Sequence, residues 1–236
     1  MSITVDAVIL AGGLGTRLRS VVGDRPKPMA TIRGRPFLEI LVENLAREGL
    51  RRFILCVGHG REQIMGYYHG RTDAEFVFAE EESPLGTGGA VRQATAFVRS
   101  DPFLLLNGDS FCAVDYARFL AFHEDNKAAL SIVVAALHGR ADGGTIDLAA
   151  DRRIVRFREK TPVLSGEQAY INAGVYLLRR DLPGSWRQTV PFSLEHDVFP
   201  GLIVAERCYG FPVDSEVVDI GTPERYADAQ SRLKGR

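Results

Sequence analysis

The chain has 236 residues, 45% apolar and 25% charged, with 29 basic and 30 acidic side chains and a net charge of −1. These are ordinary globular values, and a chain this long buries about three quarters of its unfolded surface, which excludes disorder and a disulfide-stapled scaffold. So neutral a balance gives no broad field for a nucleic-acid backbone or an anionic membrane, so neither partner is expected and any polyanion has to be met locally.

In chain order, apolar runs of strand length at residues 5–10, 52–57, 75–79 and 103–106 alternate with amphipathic helical patterns at 36–48, 61–69, 88–99 and 115–125. The strand patterns are apolar almost throughout, the habit of a parallel sheet covered by helices on both faces. After residue 130 strand-like runs follow one another at 131–137, 145–148, 153–158, 170–178, 206–211 and 213–219. A helix at 193–203 interrupts them, and a last helix at 223–233 has Thr222 as N-cap and Pro223 at its first position. The rhythm predicts a doubly wound first half and a mixed extension of the same sheet. No Gly-, Ser- or Pro-rich linker divides the two, and one domain over 1–236 is expected.

The three cysteines, Cys56, Cys112 and Cys208, are far apart and suit buried thiols in a reducing cytoplasm. The N-terminus has no basic leader pattern, and the longest apolar stretch is far too short for a membrane span. A cytoplasmic location is therefore expected. The five histidines, at positions 59, 69, 123, 138 and 196, fall at no metal-ligand spacing, and no nucleophile motif occurs.

The first strand runs into Leu10, Ala11, Gly12, Gly13, Leu14, Gly15, Thr16 and Arg17, with Pro26, Lys27 and Pro28 shortly after. Glycines here let backbone N–H groups approach a phosphate, because no Cβ intervenes and positive φ is allowed. Leu18 stands where the dinucleotide fingerprint needs a third glycine, which speaks against a nicotinamide dehydrogenase. Two cations, Arg17 and Lys27, flank a loop able to fold over a triphosphate.

This signature resembles that of the sugar nucleotidyltransferases. The resemblance implies the nucleotide-diphospho-sugar transferase fold, a Rossmann-like, doubly wound α/β architecture on a mixed, mainly parallel sheet, here without a C-terminal β-helix. It also implies that residues 1–130 bind nucleotide and 131–236 bind sugar phosphate. By the same resemblance, Arg17 and the glycine loop hold the β- and γ-phosphates, and Lys27 meets the reacting phosphate. Gly86, Thr87, Gly88 and Gly89 form the base loop, leaving room for a flat ring, while Thr87 is equally readable as a helix N-cap.

Asp109 ends an apolar strand at the edge where open α/β sheets bind ligands. Asp219 ends another apolar run; alone it reads as a cap or turn residue, and the family pairs two such aspartates around one Mg²⁺. Glu159 and Lys160 match the family's F-x-E-K element, the lysine on the sugar 1-phosphate and the glutamate on the hydroxyls, with a surface ion pair as the alternative. Asn172 and Gly174 match the sugar-lining strand. Gly144 stands where the family has Tyr-Gly, but Asp142 replaces the tyrosine before Gly143. Glu195 and Asp197 read either as groups orienting the sugar or its metal, or as parts of a capping box begun by Ser193.

The implied reaction joins a nucleoside triphosphate to a sugar 1-phosphate and releases pyrophosphate. Residues 18–22, the Ser193-Leu194-Glu195 element and the short length are most similar to the branch that uses GTP and a heptose 1-phosphate for surface polysaccharides. Uridylyl or thymidylyl transfer to a hexose or N-acetylmuramate 1-phosphate stays open, as does a homo-oligomer. A regulatory nucleotide-sugar sensor on this fold would lack the cations and metal carboxylates, all of which are present.

Overall fold

The computed structural model describes residues 3–136, 144–158 and 170–233. Strand Ala7–Leu10 lies mid-sheet, parallel to Arg52–Val57 on one side and to Phe103–Asn107 on the other. Glu75–Glu80 extends the parallel half beyond Arg52–Val57. With helices on both faces these strands have no wet side, which is why their sequences do not alternate apolar with polar.

The period of two survives in which core each residue enters. Ala7, Ile9, Phe53, Leu55, Leu104 and Leu106 join Leu38, Val42 and Leu45 of helix Phe37–Arg47 and Phe119 of helix Tyr116–Asp125. Val8, Ile54, Cys56, Phe103 and Leu105 point the other way, onto Ala90, Val91 and Ala94 of helix Gly86–Ala94. Asp115 caps Tyr116–Asp125, its carboxylate accepting from the Arg118 N–H at 3.0 Å, a cap of about 1 kcal/mol.

Strand Tyr170–Leu178 ties the second half to the first. It runs antiparallel to Phe103–Asn107, to Leu130–Ala136 and to Thr145–Leu148, which pairs with Ile154–Arg158. Its register breaks between Asn172 and Tyr176, where Gly174 takes φ +73°. Among the described residues this makes one nine-stranded mixed sheet. No helix of these residues is long and apolar enough to cross a membrane.

Three expectations are corrected. The runs at 206–211 and 213–219 are not two strands of the main sheet: Cys208–Val213 is one strand, parallel to Leu130–Ala136, and includes Pro212. Among the described residues only Leu130–Ala136 forms a ladder with that stretch, and the isolated bridge from Tyr209 to Arg153 lies three residues before Pro212, so an amide is not needed there on the outer side. Val218–Asp219 instead pairs antiparallel with Ser110–Phe111 as a separate ribbon. The helix expected at 193–203 is a π turn, Leu194–Val198, followed by helix Phe199–Ala205, because Pro200 lacks the N–H that would carry the ladder across. The helix expected from 88 begins at Gly86 and ends at Ala94, followed by a 3₁₀ turn, Thr95–Phe97.

All three cysteines are free and buried, and burial pushes the Cys208 thiol up to about 12 and the Cys56 thiol higher still, so both stay protonated and inert. His123 is buried with Nδ1 2.9 Å from Ser131 Oγ, and burial, opposed by Asp101, pushes its pKa down to about 4. The folded protein thus holds this ring neutral between the unfolded value near 6.5 and about 4, a window in which the unfolded chain binds more protons. This contribution is complete above pH 6.5 and is lost as pH falls through that window. His123→Gln, which keeps a hydrogen-bonding group but cannot take a charge, is expected to flatten the acid-side fall in stability; equal falls in urea midpoint for both proteins from pH 6.5 to 4.5 would reject the assignment.

Candidate active site

The four parallel strands end at Leu10, Val57, Glu80 and Asn107, and the loops that follow them face one crevice. The sheet order reverses beside Ala7–Leu10, with one neighbour drawn from residues 52–57 and the other from 103–107. Such a switch point opens a cleft at the C-terminal ends of the strands. Two adjoining cavities of about 190 and 700 Å³ occupy it, and Leu10, Gly13 and Asp109 line both.

The smaller cavity lies at the first glycine loop, where a phosphate cradle is expected: Gly13, Gly15, Thr16, Arg17, Lys27, Asp109 and Gly221 line it. Gly13 has open space where a Cβ would stand. Gly15 takes φ +57°, and a Cβ there would stand 2.9 Å from the Lys27 Cβ, so this glycine sets how closely the loop covers the lysine. Gly12 answers to neighbours: its Cβ would stand 2.5 Å from Glu81 Oε1 and 3.1 Å from the Gly58 N. Ala11 is fully buried, its N–H bonded to the Cys56 carbonyl at 2.9 Å, and lines neither cavity.

Asp109 and Asp219 come from distant segments, and the backbone brings them together. Asp219 pairs in register with Ser110, and the Ile220 N–H donates to the Asp109 carbonyl at 3.0 Å. The Lys27 ammonium rests on the Asp109 carboxylate. Asp219 Oδ1 accepts from the Gly221 N–H at 2.9 Å and from Arg225 at 3.2 Å. A Cβ on Gly221 would stand 2.9 Å from Asp219 Oδ1 and 3.7 Å from Lys27 Nζ, so the missing side chain leaves a small charged hollow. No group of three or more His, Cys, Asp or Glu side chains able to enclose an ion occurs among the described residues. Two hard carboxylates beside an anion cradle suit a Mg²⁺-type ion, which completes its shell with water and phosphate oxygens.

The larger cavity is lined by Gly86 and Thr87 of the expected base loop and by residues the sequence reading did not single out, among them Gly58, His59, Gly60 and Glu81. Their signal was positional: each follows the end of a parallel strand. Gly60 takes φ +65°, and its Cβ would meet the Pro26 ring at 2.6 Å, so the turn at Gly60 packs directly on the segment that carries Lys27. Glu81 is half-buried; desolvation raises its pKa, partly offset by the Leu85 N–H it accepts at 3.1 Å.

Gly88 and Gly89 line neither cavity. Their absent side chains make room for Phe192, whose ring would stand 2.3 Å from a Gly88 Cβ, and for Leu85 and Val190 beside Gly89. Thr87 is not the N-cap. Leu85 occupies that position, and the Thr87 hydroxyl donates to Glu195 Oε2 at 3.0 Å while accepting from the Leu194 N–H at 2.9 Å. The capping reading of Ser193 holds in altered form. Its oxygen accepts from the Glu195 and His196 N–H groups, and the carboxylate that returns to its own N–H, at 2.7 Å, is Asp197.

On strand Tyr170–Leu178 the Asn172 Nδ2 donates to Tyr176 Oη at 2.8 Å, its Oδ1 accepts from the Gly174 N–H at 3.0 Å, and its N–H donates to the Gly144 carbonyl at 2.9 Å. Gly174 packs on the turn that carries Asp109: a Cβ there would stand 2.6 Å from Ser110 Oγ and 3.0 Å from Asn107 Nδ2. Gly174 thereby packs against the residues on either side of the Gly108–Asp109 turn, while Asn172 and Gly174 themselves line neither cavity. Asp142, Gly143, Glu159, Lys160 and His138 lie outside the described residues.

Residues 6–235 match the family model described as Nucleotidyl transferase. The chain is 34% identical over 231 residues to the D-glycero-alpha-D-manno-heptose 1-phosphate guanylyltransferase of Aneurinibacillus thermoaerophilus, covering 98% of this chain and 99% of that protein. It is 32% identical over 225 residues to the Campylobacter jejuni protein of the same name, covering 94% and 97%. It also resembles HddC from Yersinia pseudotuberculosis, solved in complex with GMP-PN, with a TM-score of 0.84, 34% identity and coverage of 98% of this chain and 100% of that one.

The geometry of the cradle gives a test that needs no reaction. Arg17→Ala should weaken binding of inorganic tripolyphosphate about tenfold, the size of one charge-assisted hydrogen bond, and Gly15→Ala should do likewise by displacing Lys27. Unchanged calorimetric affinity in both would remove the loop from phosphate binding.

Proposed function

The chain belongs to the nucleotidyl transferase family, and we propose that it transfers a guanylyl group from GTP to D-glycero-α-D-manno-heptose 1-phosphate, giving GDP-heptose and pyrophosphate for a surface polysaccharide. Full-length similarity to two guanylyltransferases of that specificity supports the substrate pair, and the GMP-PN complex of HddC supports a guanine nucleotide. The observation that carries the reading is the convergence of Arg17, Lys27, Asp109 and the glycine loop on one cavity. A cytoplasmic setting supplies the nucleotide and suits three buried free thiols. We also read residues 1–236 as one unit, since the sheet passes through both halves.

The attacking group, a phosphate monoester with a second pKa near 6, is already mostly dianionic at about pH 7 and needs no general base. One of its oxygens bonds to the α-phosphorus of GTP while the bond from that phosphorus to the bridging oxygen breaks, and pyrophosphate carries the electron pair away. The obstacle is repulsion: two unit charges about 4 Å apart oppose each other by roughly 4 kcal/mol at an effective dielectric of 20. Arg17 and the loop N–H groups hold the departing phosphates, Lys27 meets the reacting phosphate, and Lys160 grips the sugar phosphate. Glu159, Asn172 and the Gly144 and Gly174 backbone shape the sugar pocket, with Gly86 and Thr87 beside the base. Asp109 and Asp219 would hold Mg²⁺, which supplies charge neutralisation at the phosphates. The protein's own contribution is positioning and electrostatics.

A pyrophosphate-release assay over four nucleoside triphosphates and a panel of sugar 1-phosphates tests the reading directly. The fastest pair is expected to be GTP with the heptose 1-phosphate, and the reading fails if no pair turns over or if UTP or dTTP with a hexose 1-phosphate is preferred. Asp109→Asn and Gly221→Ala should each lower turnover on the order of 100-fold without a change in melting temperature; wild-type rates at saturating Mg²⁺ would remove the carboxylate hollow from the mechanism.

A further inference from the structure

Residues 192–197 line neither cavity, yet they are bonded closely to the loop that does. The Phe192 N–H donates to the Leu85 carbonyl and the Gly88 N–H to the Phe192 carbonyl, both at 3.0 Å. Beside this two-way backbone clasp, one oxygen gathers the side chains: Glu195 Oε2 accepts from the Thr87 hydroxyl at 3.0 Å and from the Ser193 hydroxyl at 2.8 Å. Each hydroxyl also accepts from backbone, Thr87 from the Leu194 N–H and Ser193 from the N–H groups of Glu195 and His196. Both hydroxyl protons are thus committed to the same acceptor, and the directions of all these bonds are set.

The loop needs such an external hold. Gly86, Gly88 and Gly89 offer no side chains to pack, and glycine has the most backbone freedom to lose on ordering. Their missing Cβ atoms mark where the clasp fits: at Gly86 a Cβ would stand 2.3 Å from the Phe192 carbonyl oxygen.

We propose that Glu195 is a positioning residue for the nucleotide: through Thr87 it holds residues 85–88 in the conformation that lines the larger cavity, and it serves neither the sugar nor a metal. This rests on the reading that Gly86 and Thr87 meet the nucleotide. A role as hydrogen-bond acceptor differs from a role as charge, because a glutamine amide oxygen can accept from both hydroxyls while carrying no charge.

The test uses the full-length protein with the non-hydrolysable triphosphate analogue of its preferred base, measured by calorimetry, together with KM for both substrates. Glu195→Ala should weaken analogue binding and raise the nucleotide KM about tenfold, with the sugar phosphate KM within about twofold. Glu195→Gln should restore nucleotide affinity to within about threefold of wild type. Adding Thr87→Val to Glu195→Ala should cost no more than about twofold beyond the worse single variant, since both remove one contact. Glutamine as damaging as alanine, a matched rise in the sugar phosphate KM, or additive losses would each overturn the proposal. Should Glu195→Ala fail to fold, Glu195→Asp takes its place, since its shorter side chain keeps the charge but withdraws the oxygen from the Thr87 hydroxyl: weaker analogue binding than in Glu195→Gln is expected, and binding as tight as or tighter than in Glu195→Gln overturns the proposal. Wild-type protein that binds no nucleotide analogue overturns the underlying reading, whereas wild-type binding left unchanged in Glu195→Ala overturns only the role given to Glu195.

Discussion

The site depends on backbones crossing closer than any side chain permits. A Cβ at Gly108 would stand 2.4 Å from the Leu10 carbonyl oxygen, and the same glycine's N–H bonds that oxygen at 2.9 Å. At Gly58 the corresponding approach is 2.9 Å to the Gly12 carbonyl oxygen. These contacts fold the ends of three parallel strands over one another, so that Asp109 arrives beside the loop that carries Arg17. Without them the cations and carboxylates would sit at the tips of separate strands, where water would screen one from another. The gathering of charged side chains in one crevice is in that sense a consequence of glycine placement.

Much of this was legible in the sequence, because it rests on periodicity and on residues whose types leave few options. Uninterrupted apolar runs at 7–10 and 103–106 predicted doubly covered parallel strands, and the observed register splits each run between two cores. The glycine loop with Arg17 and Lys27 suggested a phosphate cradle and Asp109 a metal ligand, and they line one cavity. What was not legible depended on partners distant in sequence. Nothing local distinguishes Gly88, which yields to Phe192, from Gly86, which yields to the same residue and also lines the cavity. Thr87 fits a capping pattern as well as it fits a bond to a carboxylate 108 positions away. Residues 213–219 look like a continuation of the main sheet because strand propensity says nothing of which strand will be the neighbour.

The two halves contribute different things to the crevice. The first supplies loops at the ends of parallel strands, all opening the same way. The second supplies a long antiparallel strand broken at Gly174, where a φ of +73° sets Asn172 against Tyr176 and brings the backbone onto Ser110 and Asn107. A residue with a side chain there would have to push the Asp109 turn aside. Glycine at 174 therefore governs how near strand Tyr170–Leu178 approaches the Asp109 turn.

Strand Tyr170–Leu178 has a consequence for how the polypeptide can be divided. It supplies the hydrogen-bonding neighbour of Phe103–Asn107 on the side away from Ala7–Leu10. A fragment ending near residue 130 would keep the first glycine loop yet lose Gly221 from the smaller cavity and present a bare, strongly apolar sheet margin to water, a template for sticking to its own copies. The boundary between the two halves is not a place where the chain can be cut.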